Sequence, residues 1–243
     1  MAALPANAKL LLTRARDVLY PQRCVGCAAF GAVVCPACES RLASRRLTAA
    51  GRCPNCFAAW DGPLNCTSCT AWGFDLDGCR AAYEMEGMAR DLVHRLKYYG
   101  AREVAAIMSE EMKDLWDSRY TAAVAVPLHR RRQNSRGYNQ AELLLRPLDW
   151  PLLPGVLERM RDTKHQVGRD STERRQSMAG AFRYDGPSLA GQHIALIDDV
   201  VTTGATALEC AKALRIDGGA RSVTVIAFAR ATSTTRKEVI FDL

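Results

Sequence analysis

Two groups of residues in this chain have the types and spacing to do chemistry. The first is eight cysteines in four Cys-x-x-Cys pairs: Cys24/Cys27, Cys35/Cys38, Cys53/Cys56 and Cys66/Cys69. Each pair offers two sulfurs from one tight turn, and two such turns complete a tetrahedral thiolate site suited to zinc. The gaps between pairs are 7, 14 and 9 residues. First-with-second and third-with-fourth is therefore the plainest pairing, which makes two small zinc ribbons in tandem; spacing alone also permits a nested order. The second group is Ile194-Ala-Leu-Ile-Asp-Asp-Val-Val-Thr-Thr-Gly-Ala-Thr206. Four apolar residues read as a strand buried on both faces. Asp198 and Asp199 follow where that strand should end, and Thr202, Thr203, Gly204, Ala205 and Thr206 form a small polar loop before a helix over Ala207–Arg215. Backbone N–H groups, hydroxyls and the positive end of the helix dipole converge there on an anion, and Gly204 lets the backbone approach it closely. Two carboxylates beside that site would repel a bare phosphate, so they should face hydroxyls, a metal or a developing cation. A ribose 5-phosphate meets both demands.

Composition bounds the setting. The chain has 243 residues, 48% hydrophobic and 24% charged, which allows one large or two modest globular domains. It contains no run of eighteen apolar residues, so no membrane span is expected. The first twenty residues are interrupted by Lys9, Arg14, Arg16 and Asp17, which argues against a signal peptide and for a short amphipathic helix over residues 7–19. With no export signal read, paired cysteines point to metal binding in a reducing cytoplasm rather than to disulfides. Cys79 and Cys210 are left over as small buried hydrophobes. The net charge of +7 is uneven: residues 1–80 carry nine basic against five acidic side chains, and residues 128–175 eleven against six. Such a distribution suits a pyrophosphate or a nucleic acid backbone.

The elements that must position these groups follow from pattern. A linker is expected over residues 70–80, then a strand over Arg80–Glu86. Helices are expected over Gly87–Lys97 and Arg102–Trp116, the second with Val104, Ile107, Met108, Met112 and Leu115 on one stripe. Ala122–Val126 reads as a buried strand, Leu128–Arg136 as a basic loop holding Arg130 and Arg131, and Asn139–Leu148 as a helix. Leu157–Gln176 is polar, basic and without period, and reads as a long mobile loop. Its Lys164, Gln166, Arg169, Arg174 and Arg175 are of the kind that closes over a leaving group. Ser222–Arg230 is the last core strand. Alternation of strands and helices predicts an α/β domain with a mainly parallel sheet.

The 194–206 stretch resembles the 5-phosphoribosyl-1-pyrophosphate (PRPP) motif of type I phosphoribosyltransferases. The whole chain resembles the ComF family of competence proteins. That resemblance is carried by Leu19-Tyr20-Pro21-Gln22-Arg23-Cys24, His94-Arg95-Leu96-Lys97-Tyr98 with Gly100, and Val126-Pro127-Leu128-His129. It continues through Arg136-Gly137-Tyr138-Asn139-Gln140-Ala141-Glu142-Leu143, Arg159 to Arg175 with Thr163 and Gln166, the PRPP motif, and Ala229-Arg230. Arg131–Ser135 is more polar than the family pattern, and Gly168 stands where an apolar residue often follows the Gln.

The resemblance implies an N-terminal helix and double zinc ribbon over residues 1–75, and a type I phosphoribosyltransferase-like domain over 76–243. It implies structural Zn²⁺ on the eight cysteines and Mg²⁺ with PRPP. Lys97, Arg130, Arg131, Asp198, Asp199 and Thr202–Thr206 would bind PRPP; Asp198, Asp199, Lys164 and Arg169 would serve catalysis. It also implies DNA uptake during natural transformation, with uptake-machinery proteins as partners. Transfer of a phosphoribosyl group to an unidentified nucleophile is one reading. A module that senses PRPP or grips single-stranded DNA is the other, with Phe57, Trp60, Trp72 and Phe74 offered for stacking.

Overall fold

A computed structural model describes residues 22–60, 62, 66–70, 72, 75–161 and 180–231. The expected helix over residues 7–19 lies outside them. The chain divides into two compact units, Met1–Ser44 and Arg45–Leu243. The expected boundary at 75/76 falls within the linker expected over residues 70–80. The break at Ser44 leaves the second group of cysteines in the same unit as the sheet, and Cys53, Cys56, Phe57 and Trp72 belong to that unit's hydrophobic core.

Among its described residues the first unit holds one short helix, α1 (Pro36–Ala43), which begins directly after Cys35 with proline in its first turn. In the second unit, α2 (Thr67–Thr70) precedes β1 (Gly78–Glu84). There follow α3 (Gly87–Tyr98), α4 (Val104–Met112) with a 3₁₀ turn to Leu115, and β2 (Ala122–Ala125). Next come α5 (Arg130–Arg136), α6 (Gln140–Leu145), β3 (Leu157–Arg159) and β4 (Phe182–Tyr184). The order closes with β5 (His193–Val201), α7 (Ala205–Ile216) and β6 (Ser222–Arg230). Four strands form one parallel sheet in the order β1-β6-β5-β2, as the alternation of elements predicts.

Both faces of the sheet are covered, which is why β5 and β6 read as apolar runs rather than alternating ones. Ile194 and Leu196 of β5, with Val223, Val225 and Ala227 of β6, join a core that also contains α7 residues, the β3–β4 hairpin and the second cysteine segment. Ala195, Ile197, Ile226 and Phe228 point the other way and are equally inaccessible. On that side Tyr83 packs against Phe228, with ring centroids 5.3 Å apart. α4 is tied to α6 by the buried Ser109 hydroxyl, which donates to the carbonyl of Leu144 or of Ala105, each at 2.7 Å.

Three expectations are corrected. The basic segment after β2 is a helix, α5, not a loop. His129 caps it by accepting the Arg131 N–H, and Gly137 ends it with φ +78°. Leu157 does not open an irregular stretch: β3 pairs antiparallel with β4 in a short hairpin. Residues 162–179 lie outside the described set. Finally, β5 does not end before the acidic pair. It runs on to Val201 because β6 continues to pair with it there.

Candidate functional site

The site is made by a difference in strand length. β2 pairs with β5 only as far as Ala125 opposite Ile197, whereas β6 follows β5 to Val201 opposite Arg230. From Asp198 onward, β5 therefore has no β2 neighbour. Ligands of open α/β sheets bind at such carboxyl ends of strands. Asp198 and Asp199 stand on this overhang, and the Thr202–Thr206 loop carries the chain into α7. Thr203 Oγ1 accepts the Ala205 N–H at 3.3 Å, and Gly204 adopts φ +80°.

Asp199 is 4% exposed. Its Oδ1 lies 3.1 Å from Lys97 Nζ of α3, while its Oδ2 is buried with no hydrogen-bond partner. A buried carboxylate oxygen left bare is costly in a finished protein, and Asp199 is one of the residues that line a pocket. Asp198, half-buried, accepts the Asp199 N–H on Oδ1 at 2.8 Å. Burial first, and then the neighbouring Asp199 charge, push its carboxyl up to about 8, against the pull of Lys97. The pair is poised to gain a positive partner.

The pocket has a volume of about 120 Å³. Lys97, Asp198, Asp199, Thr202 and Thr206, all singled out in the sequence, line it. Thr203, Gly204 and Ala205 do not. Arg130 and Arg131 are not on its wall either. Arg130 is exposed and pairs with Glu158 at 2.8 Å, and Arg131 is exposed on the same turn of α5. Their neighbours Arg132 and Arg136 line the pocket instead. Spacing explains the exchange: residues four apart share a helix face, so a helix over 130–136 turns Arg132 and Arg136 inward together. Reading α5 as a helix would have found them. Arg159 at the end of β3, 8% exposed, also lines the pocket, as do Asn139 and Gln140. Asn139 is the N-cap of α6, accepting from Ala141 N–H and donating to the Val126 carbonyl, each at 3.0 Å. Gln140 Nε2 is a second buried polar atom without a partner. Lys164 and Arg169 lie outside the described residues, with the rest of that segment.

The eight paired cysteines come together as two sets of four, in sequential order: Cys24, Cys27, Cys35 and Cys38, and Cys53, Cys56, Cys66 and Cys69. Within each set all sulfurs lie within 4.8 Å of one another. Cys27–Cys35, Cys53–Cys69 and Cys56–Cys66 are 3.6, 3.4 and 3.5 Å apart. A tetrahedral zinc–thiolate site has sulfur–sulfur edges of about 3.8 Å from a Zn–S bond of about 2.3 Å, while a disulfide is near 2.05 Å. The donor set and spacing therefore fit a four-coordinate, closed metal site, and none of the ten cysteines is paired in a disulfide.

Backbone geometry repeats as well. Ala28 and Phe57, each four residues after the first cysteine of its set, have φ +60° and +59° and donate to the carbonyls of Cys24 and Cys53. Arg23 bridges Phe30 as Arg52 bridges Ala59. In the first set, Arg41 Nη2 donates to Cys38 Sγ at 2.6 Å, and Cys35 N–H to Cys24 Sγ at 3.3 Å. Cys79 and Cys210 are fully buried, as expected of small hydrophobes.

Of the aromatics offered for stacking, Phe57 and Trp72 are 7% and 2% exposed and pack internally. Trp60 is half-buried, and Phe74 lies outside the described residues. Among the described residues no helix is long and apolar enough to cross a membrane.

No family model matches the chain. It is 30% identical over 201 residues to the competence protein ComFC of Bacillus subtilis, an alignment covering 79% of this chain and 81% of that one. It is 40% identical over 116 residues to competence protein F of Haemophilus influenzae, covering 45% and 50% of the two chains. To the DNA utilization protein YhgH of Escherichia coli O157:H7 it is 34% identical over 143 residues, spanning 53% of this chain and 62% of the relative. Among solved structures, the UMP synthase of Leishmania donovani overlaps 62% of this chain and 27% of its own, with a TM-score of 0.33 and 16% identity.

Proposed function

The chain belongs to the family of the competence protein ComFC, and from that premise we propose that its pocket binds PRPP with Mg²⁺ and transfers the phosphoribosyl group. The observation that carries this reading is the bare Oδ2 of Asp199, buried beside a second acid, a threonine loop and three inward arginines. A single ligand with hydroxyls at its centre and phosphates at both ends answers all of these at once. The Thr202–Thr206 loop and the start of α7 take the 5-phosphate. Asp198 and Asp199 accept from the ribose hydroxyls. Lys97, Arg132 and Arg136 face the pyrophosphate.

In the reaction, the bond from ribose C1 to the pyrophosphate oxygen breaks and a bond from C1 to the acceptor forms. The acceptor gives up a proton, and pyrophosphate departs with the electron pair. Positive charge develops on the ring, so the Asp199 carboxylate, and Asp198 when it is ionised, stabilise it electrostatically and the cations stabilise the leaving group. Mg²⁺, when bound, would supply further charge neutralisation on the pyrophosphate. The two cysteine clusters would each hold one structural Zn²⁺. Relatives are called competence and DNA utilization proteins; we carry that process to this chain as the setting of the reaction. Calorimetric titration with PRPP, with and without Mg²⁺, followed by pyrophosphate release against a panel of bases, amines and single-stranded DNA, tests the reading. Mg²⁺-dependent binding is expected. No binding under either condition rejects it.

A further inference from the structure

The second cysteine cluster and the threonine loop are joined by one side chain. Trp72 follows Cys69 by three residues, and its backbone N–H donates to the Cys69 carbonyl at 2.9 Å. Its indole Nε1–H crosses to the other element and donates to the carbonyl of Thr203 at 3.1 Å. The ring then lies flush against Gly204: a Cβ at that position would meet Nε1, Cε2 and Cζ2 at 2.7–2.8 Å. A side chain at position 204 therefore has no room, and glycine is required by this contact as well as by its positive φ.

Arg230 completes the joint. It is 2% exposed, with its guanidinium 5.5 Å from the Trp72 ring centroid and Nη1 3.5 Å from the carbonyl of Thr202. Its Nε and Nη2 have no partner among the described residues.

Thr202, Thr203 and Gly204 thus have their backbone held from the cluster side, while the side chains of Thr202 and Thr206 line the pocket. We infer that the second cysteine cluster, acting through Trp72 and Arg230, positions the phosphate loop, so that metal at this cluster and ligand in the pocket are energetically coupled. Trp72 is a positioning residue and touches no ligand. The functional half of this inference rests on the proposed PRPP site; the structural half does not, and the test separates them.

Trp72→Phe keeps an aromatic ring and removes the N–H donor. In full-length protein with metal bound, hydrogen exchange of the amides over residues 202–208 should rise about 2- to 12-fold, the range set by one lost hydrogen bond of ordinary strength. Metal content should stay at two equivalents. Affinity for Mg²⁺-PRPP should fall by a similar factor. Cys66→Ser should lose one metal equivalent and raise loop exchange further, whereas Trp60→Phe, in the same segment, should leave the loop unchanged. Wild-type exchange in Trp72→Phe overturns the inference, whatever Cys66→Ser does. If loop exchange responds but the wild-type protein binds no PRPP, the positioning stands and the proposed function fails.

Discussion

Asp198→Asn should stabilise the ligand-free protein while disabling its site. An ordinary aspartate titrates near 3.9, whereas burial and the Asp199 charge push Asp198 up to about 8. Between those values the folded chain holds a proton that the unfolded chain has released. Stability contributed by this group is thus complete at low pH and declines as pH rises from about 4 through 8. Taken in full, the displacement would amount to several kcal/mol. Asp198 keeps part of its surface in solvent, and water absorbs some of the cost, which leaves about 1–3 kcal/mol by pH 8. Asparagine retains the shape and the Oδ1 acceptor for the Asp199 N–H without the charge. Urea midpoints should therefore coincide for the two proteins near pH 4–5 and separate by pH 8, with the variant the more stable. Parallel pH profiles, or a variant less stable at pH 8, would refute the argument that this carboxylate is held at a cost for the sake of a ligand.

Quantitative metal analysis of native protein should find two zinc equivalents; fewer than one would remove the ribbon reading, and one would mean that a set of four sulfurs is not a site. Gly204→Ala introduces a Cβ 2.7 Å from the Trp72 indole at φ +80°, so thermal or urea unfolding should show a loss of about 1–3 kcal/mol, and wild-type stability would show that the loop is free to move off Trp72. Lys97→Met leaves Asp199, at 6% side-chain exposure, without its cationic partner; a stability loss of about 3–5 kcal/mol at pH 7 is expected, and a loss under 1 kcal/mol would mean that water already reaches the carboxylate.

Most of the site was legible where chemistry is local in sequence. The strand, the two acids, the threonines and the helix after them are contiguous, so one 13-residue stretch carried them. The cysteine pairs carried their own turns, and the sequential order of the clusters followed the shorter gaps. What stayed hidden depended on partners distant in sequence. Arg132 and Arg136 were passed over for Arg130 and Arg131 because a run of arginines carries no hydrophobic period, and α5 is set by its caps, His129 and Gly137, rather than by an apolar face. The β3–β4 hairpin has strands of only three residues, too short for alternation to register. Arg159 enters the pocket only through that hairpin. Trp72 read as a linker or stacking residue because nothing near it in sequence announces a carbonyl 131 positions away.

The central claim is that Asp198 and Asp199 hold the ribose of Mg²⁺-PRPP. The most direct measurement is a calorimetric titration of PRPP into wild-type protein and into the Asp198→Asn/Asp199→Asn double variant, each with and without Mg²⁺, with circular dichroism to show that both are folded. Mg²⁺-dependent binding by the wild type, lost in a folded double variant, is the predicted result. Equal affinity in the two proteins would contradict it.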